Sequence, residues 1–117
     1  MKIYISGPIT NDKDYLEKFA KAETELRLQG VEVVNPAEIL FTMPKSTTHS
    51  QYMIVSLALL SQCDAVYMLK GWQKSKGANI EFEYAYEHGI TIAFEGGAVW
   101  HENQSDQKPQ TLQAAQG

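Results

Sequence analysis

Residues 64–94, DAVYMLKGWQKSKGANIEFEYAYEHGITIAF, carry a strand, a loop, a helix and a second strand in that order. DAVYML (64–69) and ITIAF (90–94) are short runs rich in β-branched, aromatic and apolar residues; Gly71 follows the first and Gly89 precedes the second. The intervening residues 75–88 read as a helix. At about 100° per residue, Gly77, Ala78, Ile80, Phe82, Tyr84 and Ala85 fall on one broad arc, with Asn79, Glu83, Tyr86 and Glu87 opposite. Glu81 lies inside the apolar arc. A carboxylate pushed toward a core loses hydration at a cost of roughly several kcal/mol unless it is paired, neutralised or facing a cavity. It is therefore either an edge-of-core glutamate bonded to a hydroxyl or amide, or a carboxylate lining a pocket as nucleophile or base. The small residues leading into this helix, Gly71, Ser75, Gly77 and Ala78 around Trp72, leave backbone amides and a helix dipole that favour an anion. An anion site about one turn from a carboxylate suggests a nucleotide or a sugar phosphate.

Upstream, the same alternation repeats. KIYIS (2–6) is a strand ended by Gly7-Pro8. Residues 12–30 are a helix with Tyr15, Phe19, Ala22, Leu26 and Leu28 near helical spacing and Gly30 as its stop. Residues 31–34 form a second strand closed by Asn35-Pro36. Residues 36–50, with Pro44 and a Ser-Thr-Thr-His cluster, are a loop with room for one short helical turn. Residues 51–63 are an apolar helix, expected to be buried or to form a subunit contact. The order βαβαβαβ predicts an α/β fold, a three-layer sandwich of four or five parallel strands with helices on both faces. The folded domain is expected to span residues 1–98. Residues 99–117 are expected to be a mobile polar tail, with five glutamines after residue 100 and almost no large apolar side chains.

The chain has 117 residues, 44% of them hydrophobic, which is enough for one core. Its net charge of −4, with ten basic and fourteen acidic residues spread along the chain, shows no basic stripe and argues against polymeric nucleic acid as a partner. Cys63 is the single cysteine, so no internal disulfide and no cysteine-based zinc cluster can form, which suits a reducing cytoplasm. MKIYISGPIT is broken too early by Gly-Pro to act as a signal peptide, and no run approaches a membrane span. Neither metal nor cofactor is called for.

Open parallel sheets bind ligands beyond the carboxyl ends of the strands, where the strand order reverses. The segments there would be Ser6-Gly7-Pro8, Asn35-Pro36 and Lys70-Gly71-Trp72, with Ser75 to Glu81 starting on the same side. Asp64 begins its strand about 20 Å away at the other end, where a structural role is expected.

Tyr4, Ser6-Gly7-Pro8-Ile9, Asn35-Pro36, Cys63-Asp64-Ala65-Val66 and Gly71-Trp72-x-x-Ser75-x-Gly77-Ala78-x-x-Glu81, in this order and spacing, resemble the nucleoside 2-deoxyribosyltransferase-like superfamily, and within it a small branch common in phages and prophages. The resemblance covers residues 1 to about 95 and implies a flavodoxin-like, Rossmann-like sheet. It implies cleavage of an N-glycosidic bond in which Glu81 attacks the anomeric carbon, followed by hydrolysis or transfer to a second base. By the same resemblance Tyr4 orients Glu81 through a hydrogen bond, though a strand aromatic that merely packs remains open. Ser75 with the amides of Gly77 and Ala78 would hold a 5′-phosphate or 5′-hydroxyl, and Trp72 would stack on the base or close the pocket. Where active relatives carry an aspartate, this chain has Ser56. A serine is no general acid at neutral pH, which leaves Tyr52, Gln51 or His49 to protonate or orient the base. The superfamily also borrows site residues from a neighbouring subunit, implying a homodimer or higher homo-oligomer.

Three functions compete: an N-glycosidase or 2-deoxyribosyltransferase acting on a nucleoside or nucleoside monophosphate, a module that binds or senses a nucleotide without cleaving it, and an interaction protein working through its surface or tail.

Overall fold

A computed structural model describes residues 1–97 and 99–100. The elements are β1 (Lys2–Ser6), α1 (Tyr15–Leu28), β2 (Glu32–Val34), α2 (Pro36–Phe41), α3 (His49–Leu60), β3 (Ala65–Met68), a 3-10 turn (Trp72–Lys74), α4 (Lys76–Glu87), β4 (Thr91–Phe94) and β5 (Val99–Trp100). The sheet order is β2-β1-β3-β4-β5. The first four strands are parallel, as the alternating pattern predicts, and β5 is a two-residue antiparallel edge. The possible fifth strand is thus not a parallel one. Its pairing carries the sheet two residues past the expected domain end at residue 98, and the expected tail beyond residue 100 lies outside the described residues.

Period-two alternation along β1 decides what faces what. Ile3 and Ile5 join Phe19, Ala22 and Leu26 of α1 on one face of the sheet. Tyr4 faces the other way, into a cluster with Leu60 of α3, Val66 and Met68 of β3, Ala78 and Ala85 of α4, and Ile92 of β4. Burying each large apolar side chain of these layers stabilises the fold by roughly 1.5–3 kcal/mol. α3 is less buried than its composition predicts: only Ser56 and Leu60 are buried, and Ile54 is 70% exposed.

The segment expected to be a loop contains two helix starts. Asn35 caps α2, its Oδ1 accepting from the Ala37 N–H at 3.0 Å with Pro36 at the first helical position. Thr48 and Gln51 form a capping box that begins α3 two residues before the expected start. At the N-terminal end of the sheet Asp64 accepts from the Lys2 N–H at 2.8 Å, joining β1 to the start of β3.

Because the chain runs from β1 out to β2 and then returns to β3 on the opposite side, the strand order reverses at β1. The crevice opens past Ser6 and Met68. Gly7 sits there for want of space: a Cβ on it would lie 2.9 Å from the Leu69 Cβ, and Leu69 is itself buried and bonded through its N–H to the Ser6 carbonyl at 2.8 Å. Gly7→Ala is expected to destabilise the protein by about 1–3 kcal/mol through overpacking, measured by urea unfolding. An unchanged unfolding midpoint would mean that the two strand ends can part without cost.

Candidate active site

Tyr4 and Ser6 are two residues apart on β1, so both point at α4. The buried stripe of α4 is Ala78, Glu81 and Ala85, spaced i, i+3, i+7, which sets the Glu81 carboxylate directly over them. The Tyr4 hydroxyl donates to Glu81 Oε2 and the Ser6 hydroxyl donates to Oε1 at 2.5 Å. Glu81 is 6% exposed, Ser6 1% and Tyr4 0%. Burial pushes the Glu81 carboxyl up to about 7, against the pull of the Ser6 and Tyr4 hydrogen bonds, which favour the anion. The Tyr4 phenol is raised well above its ordinary value by its own burial and then by the Glu81 charge, opposed by the Ser56 hydroxyl. At neutral pH it keeps its proton and acts as a donor.

This carboxylate does not end in a closed core. It lines a cavity of about 280 Å³ together with Tyr4, Ser6, Gly7, Ser75, Gly77 and Ala78. Seven of the residues expected at the site from the sequence are therefore brought together. Three are not. Pro8 lines a neighbouring cavity instead. Asn35 uses its Oδ1 on the α2 cap and its Nδ2 on Glu23 Oε1 at 3.0 Å, leaving Pro36 to reach the cavity wall. The Trp72 indole stacks on Phe82 at 4.9 Å between centroids and leans on Phe94, so it closes the loop onto α4 rather than offering a face to the cavity.

The anion-favouring helix start is present with one change. Ser75 caps α4, its Oγ accepting from the Ala78 N–H at 3.1 Å, so that amide is already engaged. The amides of Lys76 and Gly77 have no intrahelical acceptor, as in any first turn. The Asn79 side chain donates to the carbonyls of Gln73 and Ser75 at 3.0 and 2.8 Å, pinning the loop that presents them.

From α3 come His49, Tyr52, Met53 and Ser56. Gln51 does not join them, because its side chain is held by the capping box. Apart from Thr10, the remaining wall is aromatic and aliphatic, chiefly Tyr15 and Phe19 of α1 and Leu40 of α2. These were not singled out from the sequence, where Phe19 and Tyr15 count only as core positions. The Thr48-x-x-Gln51 box was the available signal for the α3 residues: it starts the helix at His49 and places 49, 52, 53 and 56 on one face. Among the described residues no group of three His, Cys, Asp or Glu side chains is arranged to hold a metal. No helix among them is long and apolar enough to cross a membrane.

No curated protein matches the chain. Among solved structures, a 2-deoxyribosyltransferase from the psychrotolerant bacterium Bacillus psychrosaccharolyticus, described as a biocatalyst for nucleoside synthesis, is similar with a TM-score of 0.65. The identity is 21%, covering 80% of this chain and 71% of that one, a likeness of fold. The model of a family described as a domain of unknown function (DUF4406) matches residues 1–94, and the chain belongs to that family.

Proposed function

We propose that the crevice binds a nucleoside or nucleoside 5′-phosphate and that Glu81 cleaves its N-glycosidic bond. The observation that carries this reading is a buried carboxylate, held by two hydroxyl donors, at the wall of a cavity in a sheet shared with a 2-deoxyribosyltransferase. In the first step an ionised Glu81 oxygen bonds to the anomeric carbon, and the electron pair of the breaking bond leaves with the base nitrogen. His49 or Tyr52, both on the cavity wall, supplies the proton to the departing base. In the second step water or another base displaces the carboxylate from the sugar. Tyr4 and Ser6 hold both oxygens in place and favour the charged form that attacks.

Binding without turnover is the second reading, and Ser56 favours it. It is 2% exposed and lines the cavity, and among the described lining residues Glu81 is the single carboxylate. The test is release of free base, followed by mass spectrometry, from a panel of ribo- and deoxyribonucleosides and their 5′-monophosphates. Release from at least one member is expected. If none is cleaved while one raises the melting temperature, the enzyme reading fails and the binding module stands.

A further inference from the structure

Beside the crevice lies a second cavity, of about 620 Å³, walled by Lys18, Lys70, Lys74 and Lys76. Four of the ten basic residues of a chain with net charge −4 therefore meet around one space. They come from α1, from the loop after β3, from the 3-10 turn and from the start of α4. The lining carboxylate is Asp12, which pairs with Lys18 at 2.9 Å. Glu95 stands nearby, accepting from the Lys70 N–H at 2.8 Å. Among the described residues Lys70, Lys74 and Lys76 have no ion-pair partner. Gathering like charges around a concave surface costs self-repulsion, which an anion in the cavity removes, and such a surface focuses potential on a charged ligand.

The two cavities share Thr10, His49, Ser75 and Gly77, so a ligand seated against Glu81 can continue into the lysine-walled space past the start of α4. We infer that this second cavity holds the polyphosphate of a nucleoside 5′-di- or triphosphate, whose nucleoside lies in the Glu81 crevice. The inference rests on reading that crevice as a nucleoside site and extends it to the charge state of the substrate. A phosphate monoester carries about two negative charges at neutral pH and each further phosphate adds about one, so a di- or triphosphate matches the three ammonium groups left unpaired, once Asp12 has taken Lys18, better than a monophosphate does. Lysines act on phosphate as point charges on flexible stems, without the planar fork that would single out one oxygen geometry.

The test measures binding, so that it stands or falls apart from cleavage. The full chain carrying Glu81→Gln is titrated calorimetrically, in metal-free buffer, with each common ribo- and deoxyribonucleoside as the free nucleoside, monophosphate, diphosphate and triphosphate. For the preferred base, affinity is expected to rise along the series, the triphosphate binding roughly 10- to 100-fold more tightly than the nucleoside, and this ratio is expected to shrink in high salt. Adding Lys74→Gln and Lys76→Gln, both at exposed positions, is expected to cut the ratio about tenfold, whereas the exposed Lys45→Gln leaves it unchanged. A flat series, a maximum at the monophosphate, equal binding by inorganic tripolyphosphate alone, or a ratio insensitive to Lys74 and Lys76 overturns the inference. Base release by the wild type could still occur in each of those cases. Conversely, a rising series in a protein that releases no base leaves the polyphosphate site intact and removes only the enzyme reading.

Discussion

Glu81→Gln is expected to lower base release by at least about 10³-fold while leaving ligand binding in place, because it removes the attacking oxygen's charge without changing the shape of the cavity wall. The same substitution has an expected signature on stability. The Glu81 carboxyl ionises at about 7 in the folded protein, against 4.5 for an unperturbed glutamate. The folded state thus holds this proton more tightly than the unfolded chain. The stabilising contribution is present in full below pH 4.5 and is lost as pH rises through 7. Above pH 7 the fold carries a desolvated anion at a cost of roughly 3 kcal/mol relative to acid conditions. Glutamine carries no such charge, and one of the two hydroxyls can keep donating to its amide oxygen while the other turns to accept from its NH2 group. Urea unfolding across pH 5 to 9 is therefore expected to show the variant gaining on the wild type as pH rises. Turnover by the wild type should show an acid limb centred near 7, since only the ionised carboxylate attacks. Parallel stability curves for the two proteins would show that burial does not govern this group.

What the sequence disclosed about the fold came from short-range pattern. Alternation in KIYIS and the apolar arc of residues 75–88 are local, and together they foretell a parallel sheet with Glu81 turned inward. Two of the boundaries that slipped were set by caps. Thr48 and Gln51 start α3 earlier than its apolar run suggests, and Asn35 starts α2 inside an expected loop. Of the candidate site, the residues tied to strand or helix periodicity came together, while of those assigned only by proximity to strand ends Gly7 did and Pro8, Asn35 and Trp72 did not. Asn35 met a nearer backbone amide and Trp72 a nearer ring. The lysine-walled cavity was hidden for a different reason. Lys18 is 52 residues from Lys70, so a count of charges along the chain sees dispersion where the fold makes a cluster.

Tyr4 separates packing from chemistry. Its ring belongs to the core with Leu60, Val66 and Ile92, while its hydroxyl serves one oxygen of Glu81. Tyr4→Ala removes both and is expected to cost about 3–5 kcal/mol of stability, the toll of emptying a fully buried aromatic position. Loss of activity in that variant would carry no information about the hydroxyl. Tyr4→Phe keeps the ring and deletes the donor alone. A hydrogen bond to a charged group contributes about 1.5–3 kcal/mol, so base release at pH 7 is expected to fall roughly ten- to hundredfold. The loss should take a particular form. Since the Tyr4 hydrogen bond favours the ionised carboxylate, its removal raises the Glu81 pKa further and shifts the acid limb of the pH profile to higher pH. Part of the activity should then return as the assay is made more alkaline. A phenol that only packs predicts otherwise: Tyr4→Phe would be silent in rate and in pH profile, and orientation of the carboxylate would fall to Ser6 alone.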